Sequence, residues 1–114
     1  MSVDRILRGL SRFQKSVYPK HRDLFQEPLS AKELEPFEAV VFDPPRAGAD
    51  AQAVMIAKSK VKTVVAVSCA PGTLARDVKT LMAGGYVLDS VTPIDQFLFS
   101  PHIEAIAILR RPKR

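Results

Sequence analysis

The apolar run Phe37-Glu38-Ala39-Val40-Val41-Phe42 stops at Asp43-Pro44-Pro45, and this halt limits what the chain can fold into more than any other feature. Two consecutive prolines remove two backbone donors and fix φ, so a central strand ends there. A second β-rich apolar run, Thr63 to Val67, is halted in the same way by Ser68-Cys69-Ala70-Pro71-Gly72. Between the two runs, Asp50 can cap a helix reaching about Lys58. After the second, Thr73 can cap a helix with Leu74, Val78, Leu81 and Met82 on one face, stopped by Gly84-Gly85. Tyr86 to Val91 predicts a third strand. His102 to Leu109 predicts a fourth, and its near-continuous apolar character predicts burial on both faces.

Strands alternating with helices predict an α/β fold built on a parallel sheet. The loop from Thr92 to Pro101 is too short for a helical crossover, so the last strand is expected to run antiparallel to the one before it. Upstream, Val3, Ile6, Leu7, Leu10 and Phe13 form the stripe of an amphipathic helix with Ser2 as its cap. Residues 16–22 predict a short strand that Pro19 weakens, and the polar stretch Asp23 to Pro36 leaves room for one helical turn at Ala31–Leu34. All 114 residues read as one domain or a piece of one.

The net charge of +5 gathers in a first stretch (Arg5, Arg8, Arg12, Lys15, Lys20, Arg22) and in the tail (Arg110, Arg111, Lys113, Arg114). Such a balance favours a polyanionic partner, nucleic acid included, and fits a solvated basic surface equally well. The lone Cys69 excludes an internal disulfide framework, and with two histidines no metal site is expected. No apolar run is long enough to cross a bilayer, and the charged N-terminus does not read as a signal peptide. A reducing, cytoplasmic setting is expected.

In doubly wound sheets, ligands bind beyond the carboxyl ends of the strands. Asp43 and Cys69 both fall at such ends. Asp43 reads either as a ligand-facing carboxylate or as the capping residue of a rigid turn. Cys69 precedes a helix start, where peptide N–H groups and the helix dipole favour negative charge, as a nucleophile requires. A small buried hydrophobe is the competing reading. Asp95, His102 and Glu104 flank the last strand, and the residues alone leave open whether Glu104 is a solvated strand end or an acid–base group.

Three blocks read together narrow this. DPPRAG at 43–48, VSCAPGTLARD at 67–77 and IDQFLFSPHIE at 94–104 resemble, in order and spacing, the signatures of the uracil-5 RNA methyltransferases. The resemblance covers roughly Asp23 to Arg110. It implies a partial Rossmann-like class I methyltransferase fold, a parallel sheet with a final antiparallel strand. It also implies S-adenosyl-L-methionine (SAM) as cofactor and a uridine of rRNA or tRNA as substrate. By that resemblance Cys69 is the nucleophile that adds to carbon 6 of the uracil, and Glu104 the base that removes the carbon-5 proton. Asp43 is a carboxylate at the mouth shared by SAM and substrate. From its position after the strand expected at 16–22, Asp23 is expected to be an adenine-side contact, and Arg46 and His102 are expected to be substrate-side residues. The chain departs from the family at Ala66 and Ala70, where tyrosine and asparagine are frequent, and at Leu98, where proline is common. No G-x-G-like loop follows a strand, so a SAM loop is expected upstream. The chain is accordingly expected to be the C-terminal part of a longer catalytic domain, inactive by itself. A non-catalytic RNA-binding remnant and an amino-methyltransferase are the rival readings; an amine target needs no thiol, so Cys69 with Glu104 argues against the second.

Overall fold

The computed structural model describes residues 20–94 and 104–112. The helix expected over Val3–Phe13, the strand expected at 16–22 apart from residues 20–22, and His102 lie outside the described residues. Residues 20–22 are not in a strand.

Seven elements follow in order: α1 (Ala31–Leu34), β1 (Ala39–Phe42), α2 (Asp50–Lys58), β2 (Thr63–Ser68), α3 (Pro71–Ala83), β3 (Val87–Ile94) and β4 (Glu104–Arg110). The strands form one sheet in the order β1-β2-β4-β3. β1 and β2 are parallel, in the register Ala39 to Thr63 through Phe42 to Ala66. β4 lies between β2 and β3 and runs antiparallel to both. Three strands thus share one direction and the last opposes them, as expected from the short β3–β4 connection.

β3 starts one residue later than the sequence predicts and runs three further, through Pro93. A proline is tolerated there because β3 is an edge strand, with no ladder bond required on its outer side. Tyr86 stays out of the strand and enters the core, its hydroxyl donating to the Val61 carbonyl.

Both longer helices cover one face of the sheet. Val64 and Ala66 of β2 and Ala107 and Leu109 of β4 pack with Ile56 of α2 and Leu74, Val78 and Leu81 of α3. Burial along β4 alternates, with Ala105, Ala107 and Leu109 buried and Ile108 37 % exposed. Burial on both faces, expected from its apolar run, is not what the described residues form: they place helices on one side only, and Val41 on β1 is 68 % exposed.

The helix starts also differ from expectation. α3 begins at Pro71, with Ala70 as an extended N-cap, because proline suits the first helical turn, where an N–H is not needed. Thr73 is inside the helix, and its hydroxyl lies 3.0 Å from the Ala70 carbonyl. Asp50 is the first residue of α2, and the cap position belongs to Ala49. At the other end of both helices, Arg111 donates to the carbonyls of Gly84 (2.8 Å) and Ala57 (3.0 Å) and stacks on the Tyr86 ring. It neutralises two helix C-termini at once. Gly84 is needed where the helices meet: a Cβ there would come within 2.6 Å of the Ala57 carbonyl oxygen.

Candidate active site

β1 and β2 deliver their carboxyl ends to one edge of the sheet, and β4, being antiparallel, delivers its amino end to the same edge. Asp43 follows the last residue of β1, Cys69 the last residue of β2, and Glu104 is the first residue of β4. The β2–β4 ladder ends with Ser68 opposite Ala105. One residue past that pair come Cys69, in the bend that leaves β2, and Glu104, the first residue of β4, both at this edge. Ser68 and Ala105 point to the helix-covered side and are buried. Glu104, one residue before Ala105 in β4, alternates to the opposite, open side, and Cys69 and Glu104 are both half-buried.

The turn that carries Cys69 is tied from both sides. Ser68 Oγ accepts the Ala70 N–H at 3.0 Å and lies 3.1 Å from the Ala70 carbonyl oxygen. The pair brackets Cys69 between a buried strand end and the start of α3.

Asp43 is exposed at the mouth of a cleft of about 500 Å³ that Asp23 also lines, with Leu24, Phe25, Phe42 and Pro44 as apolar walls. Asp23 and Asp43 are thus brought together from 20 residues apart in sequence. Asp23 Oδ1 also accepts the N–H groups of Phe25 (3.0 Å) and Gln26 (3.4 Å), closing the turn that forms the cleft wall. That wall is fixed to the rest of the fold by two contacts. The Gln52 side chain exchanges both its amide hydrogen bonds with the backbone of Leu29, at 2.8 and 3.0 Å. The Arg22 guanidinium bonds both carboxylate oxygens of Glu33 and the carbonyls of Glu27 and Pro28. The Arg22 hydrogen bond, with help from the Ser30 N–H, holds the Glu33 carboxyl down at about 2. The same pairing raises the Arg22 guanidinium above its ordinary value.

Arg46 is exposed, and its carbonyl oxygen accepts from the Thr73 hydroxyl at 3.1 Å. This is one of several bonds by which α3 grips the loop after β1. Arg76 donates to the Ala47 carbonyl at 2.9 Å, and the Asp77 carboxylate accepts the Ala49 N–H at 2.8 Å. Asp77 is 1 % exposed. Asp77 was not among the residues expected from the sequence. A signal for it exists: it falls three residues after Leu74 and four before Leu81, on the apolar stripe of α3, and a carboxylate on a buried face needs a partner. Among the described residues, no cluster of His, Cys, Asp and Glu is placed to hold a metal ion, and no helix is long and apolar enough to cross a membrane.

Residues 17–112 match the model of the family described as tRNA (Uracil-5-)-methyltransferase. The chain is 57% identical over 109 residues to an uncharacterized RNA methyltransferase of Brucella melitensis, covering 94% of this chain and 26% of that protein. It is 58% identical over 110 residues to one of Mesorhizobium japonicum, covering 96% of this chain and 26% of that protein. The chain therefore spans about a quarter of the length of these relatives. Among solved structures, it is similar to the Pyrococcus abyssi tRNA (uracil-54, C5)-methyltransferase in complex with S-adenosyl-L-homocysteine, with a TM-score of 0.58 and 38% identity over 70% of this chain and 20% of that one.

Proposed function

The chain belongs to the tRNA (uracil-5-)-methyltransferase family, and on that premise we propose that it carries the nucleophile and the base for methylating carbon 5 of a uridine in rRNA or tRNA. The observation that carries this reading is the β2–β4 register, in which Cys69 follows Ser68 and Glu104 precedes its partner Ala105.

Carbon 5 of uracil is a poor nucleophile. Addition of the Cys69 thiolate to carbon 6 makes a carbon–sulfur bond and leaves carbon 5 electron-rich, ready to attack an electrophilic methyl group. SAM, when bound, supplies that methyl group. The Glu104 carboxylate then takes the carbon-5 proton. The electron pair of that carbon–hydrogen bond restores the ring double bond as the carbon–sulfur bond breaks and the thiolate departs. A carboxylate on the strand beside the thiol's own suits this order of events, because a base within reach of the ring can take the proton once the methyl group is on.

The cleft beside Asp43 and Asp23 fits a nucleoside cofactor. Two carboxylates suit hydroxyl and amino groups, apolar walls suit a purine, and the volume of about 500 Å³ lies within the usual range for such sites. Asp43 is assigned to the mouth between cofactor and substrate, and Asp23 to the adenine side. Arg46 is assigned to the RNA, with His102. The target base must be splayed out of its stack to reach the sheet edge. The partner is RNA, and the setting is the cytoplasm, where a lone thiol stays reduced.

The test uses RNA tritiated at carbon 5 of uridine, with a full-length family protein carrying this sequence. Each methyl group incorporated is expected to release one tritium to water. Methyl incorporation without tritium release would mean another acceptor atom and would overturn the assignment.

A further inference from the structure

The loop that presents Asp43 and the helix that follows Cys69 come from different βα units. Three residues of α3, in its first and second turns, reach across and bind the backbone of that loop. Thr73 bonds the Arg46 carbonyl at 3.1 Å, Arg76 the Ala47 carbonyl at 2.9 Å, and Asp77 the Ala49 N–H at 2.8 Å. The Asp77 carboxylate is buried, and its other oxygen meets the Arg76 guanidinium at 3.3 Å. The carboxylate therefore joins the loop N–H, the helix and, through Arg76, a loop carbonyl. The loop is shaped to accept this grip. Gly48 is buried at φ +85, and a Cβ there would lie 2.6 Å from the Arg76 guanidinium and 3.0 Å from both the Asp77 carboxylate and the Thr73 side chain. An L side chain is disfavoured at that φ as well. Only a glycine lets α3 approach so closely.

We propose that Asp77 is a positioning residue for methyl transfer, setting the Asp43–Ala49 loop in register with the Cys69 turn, so that the cofactor side and the nucleophile side of the site hold one fixed separation. This rests on the function proposed above. Asp77 touches neither ring nor cofactor in this scheme. It acts through the Ala49 N–H and through Arg76. The consequence is specific: loss of the carboxylate displaces the cofactor-side loop relative to the Cys69 turn, while the β2–β4 ladder that ends at Ser68 and Ala105 stays in place.

The test compares Asp77→Ala, Asp77→Asn and Gly48→Ala with the wild type in a full-length family protein carrying this sequence. KM for SAM, KM for RNA, kcat and thermal midpoint are measured well below each midpoint. Asp77→Ala is expected to raise KM for SAM and lower kcat, with a combined loss on the order of 10²-fold, the scale set by a displacement of about 1 Å in a reacting geometry. KM for RNA is expected to hold. Asp77→Asn keeps an acceptor for the Ala49 N–H and is expected to recover much of the loss. Gly48→Ala pushes the same contact apart from the loop side, so it is expected to raise KM for SAM as well and to combine with Asp77→Ala less than additively. A purely structural role would reduce the folded fraction and hence kcat, leaving KM for SAM unchanged. An unchanged KM for SAM in the variants that fold would overturn the proposal. If the wild type methylated an atom other than carbon 5, the proposed function would fall, while the same comparison of KM for SAM would still decide the role of Asp77.

Discussion

Cys69 and Glu104 lie at one edge of the sheet, each one residue beyond Ser68 and Ala105, the last pair of the β2–β4 ladder. The direction of β4 makes this possible. A fourth strand parallel to β1 and β2 would have brought its carboxyl end to that edge and left Glu104 at the far end of the sheet. Because β4 is reversed and inserted between β2 and β3, its first residue pairs with Ile94, the last of β3, and its second with Ser68, the last of β2.

Arg111 carries much of the stability where the two helices end. It bonds Gly84 and Ala57 and stacks on Tyr86 at 4.2 Å. Lysine keeps the charge but cannot make both bonds and the stack together. Arg111→Lys is expected to lower unfolding free energy by about 2 kcal/mol, the scale of one charged hydrogen bond. Urea denaturation checks this, and an unchanged midpoint would mean the two carbonyls are equally well served by water.

The Arg22–Glu33 pair sets a pH dependence. Glu33 is held at about 2, below its ordinary 4.5. A carboxyl depressed by folding binds its proton more readily in the unfolded chain, so its contribution is complete above about 4.5 and is lost as pH falls toward about 2. Glu33→Gln is expected to lower stability by a constant amount above about pH 6 and to converge on the wild type as pH falls toward about 2. Denaturation across the acid range tests it; a parallel offset of the two profiles at all pH values would contradict the account.

Asp43 and Asp23 share a cleft but differ in how they are engaged. Asp23 Oδ1 already closes a turn of the wall. Asp43→Ala is therefore expected to weaken SAM binding by roughly 10- to 100-fold, as loss of a charged hydrogen bond does, without altering the thermal midpoint. Asp23→Ala is expected to weaken binding and to lower the midpoint as well. Calorimetry with SAM on a full-length family protein carrying this sequence, beside a melting curve for each variant, separates the two; equal melting curves would remove Asp23 from the wall.

The sheet edge was legible in the sequence because prolines mark it. Asp43-Pro44-Pro45 and the Ser68–Gly72 turn each end a β-rich run, so both site positions were readable as strand ends before any coordinates. The motif blocks around Glu104 brought the third residue in. The place of β4 between β2 and β3 was not legible, since nothing local in an apolar strand names its neighbours. Its one-sided burial was hidden for the same reason: Ile106 and Ile108 resemble core residues whether or not a layer covers them. The grip of α3 on the loop after β1 was missed because its bonds go to backbone atoms of 46, 47 and 49, and backbone partners leave no mark in residue identity. Only the buried position of Asp77 on an apolar stripe signalled it.

In the proposed mechanism Cys69 and Glu104 act in sequence on one uracil, the thiolate first and the carboxylate after methyl transfer. Glu104→Gln keeps the shape and removes the base, at a cost in rate on the order of 10²–10⁴ for proton removal. The measurement is a denaturing gel of a full-length family protein carrying this sequence, mixed with labelled RNA with and without SAM. Glu104→Gln is expected to give a slow-migrating protein–RNA band that accumulates with SAM and contains the methyl group, and Cys69→Ala neither band nor methylated RNA. Normal turnover by Glu104→Gln, or methylation by Cys69→Ala, would contradict it.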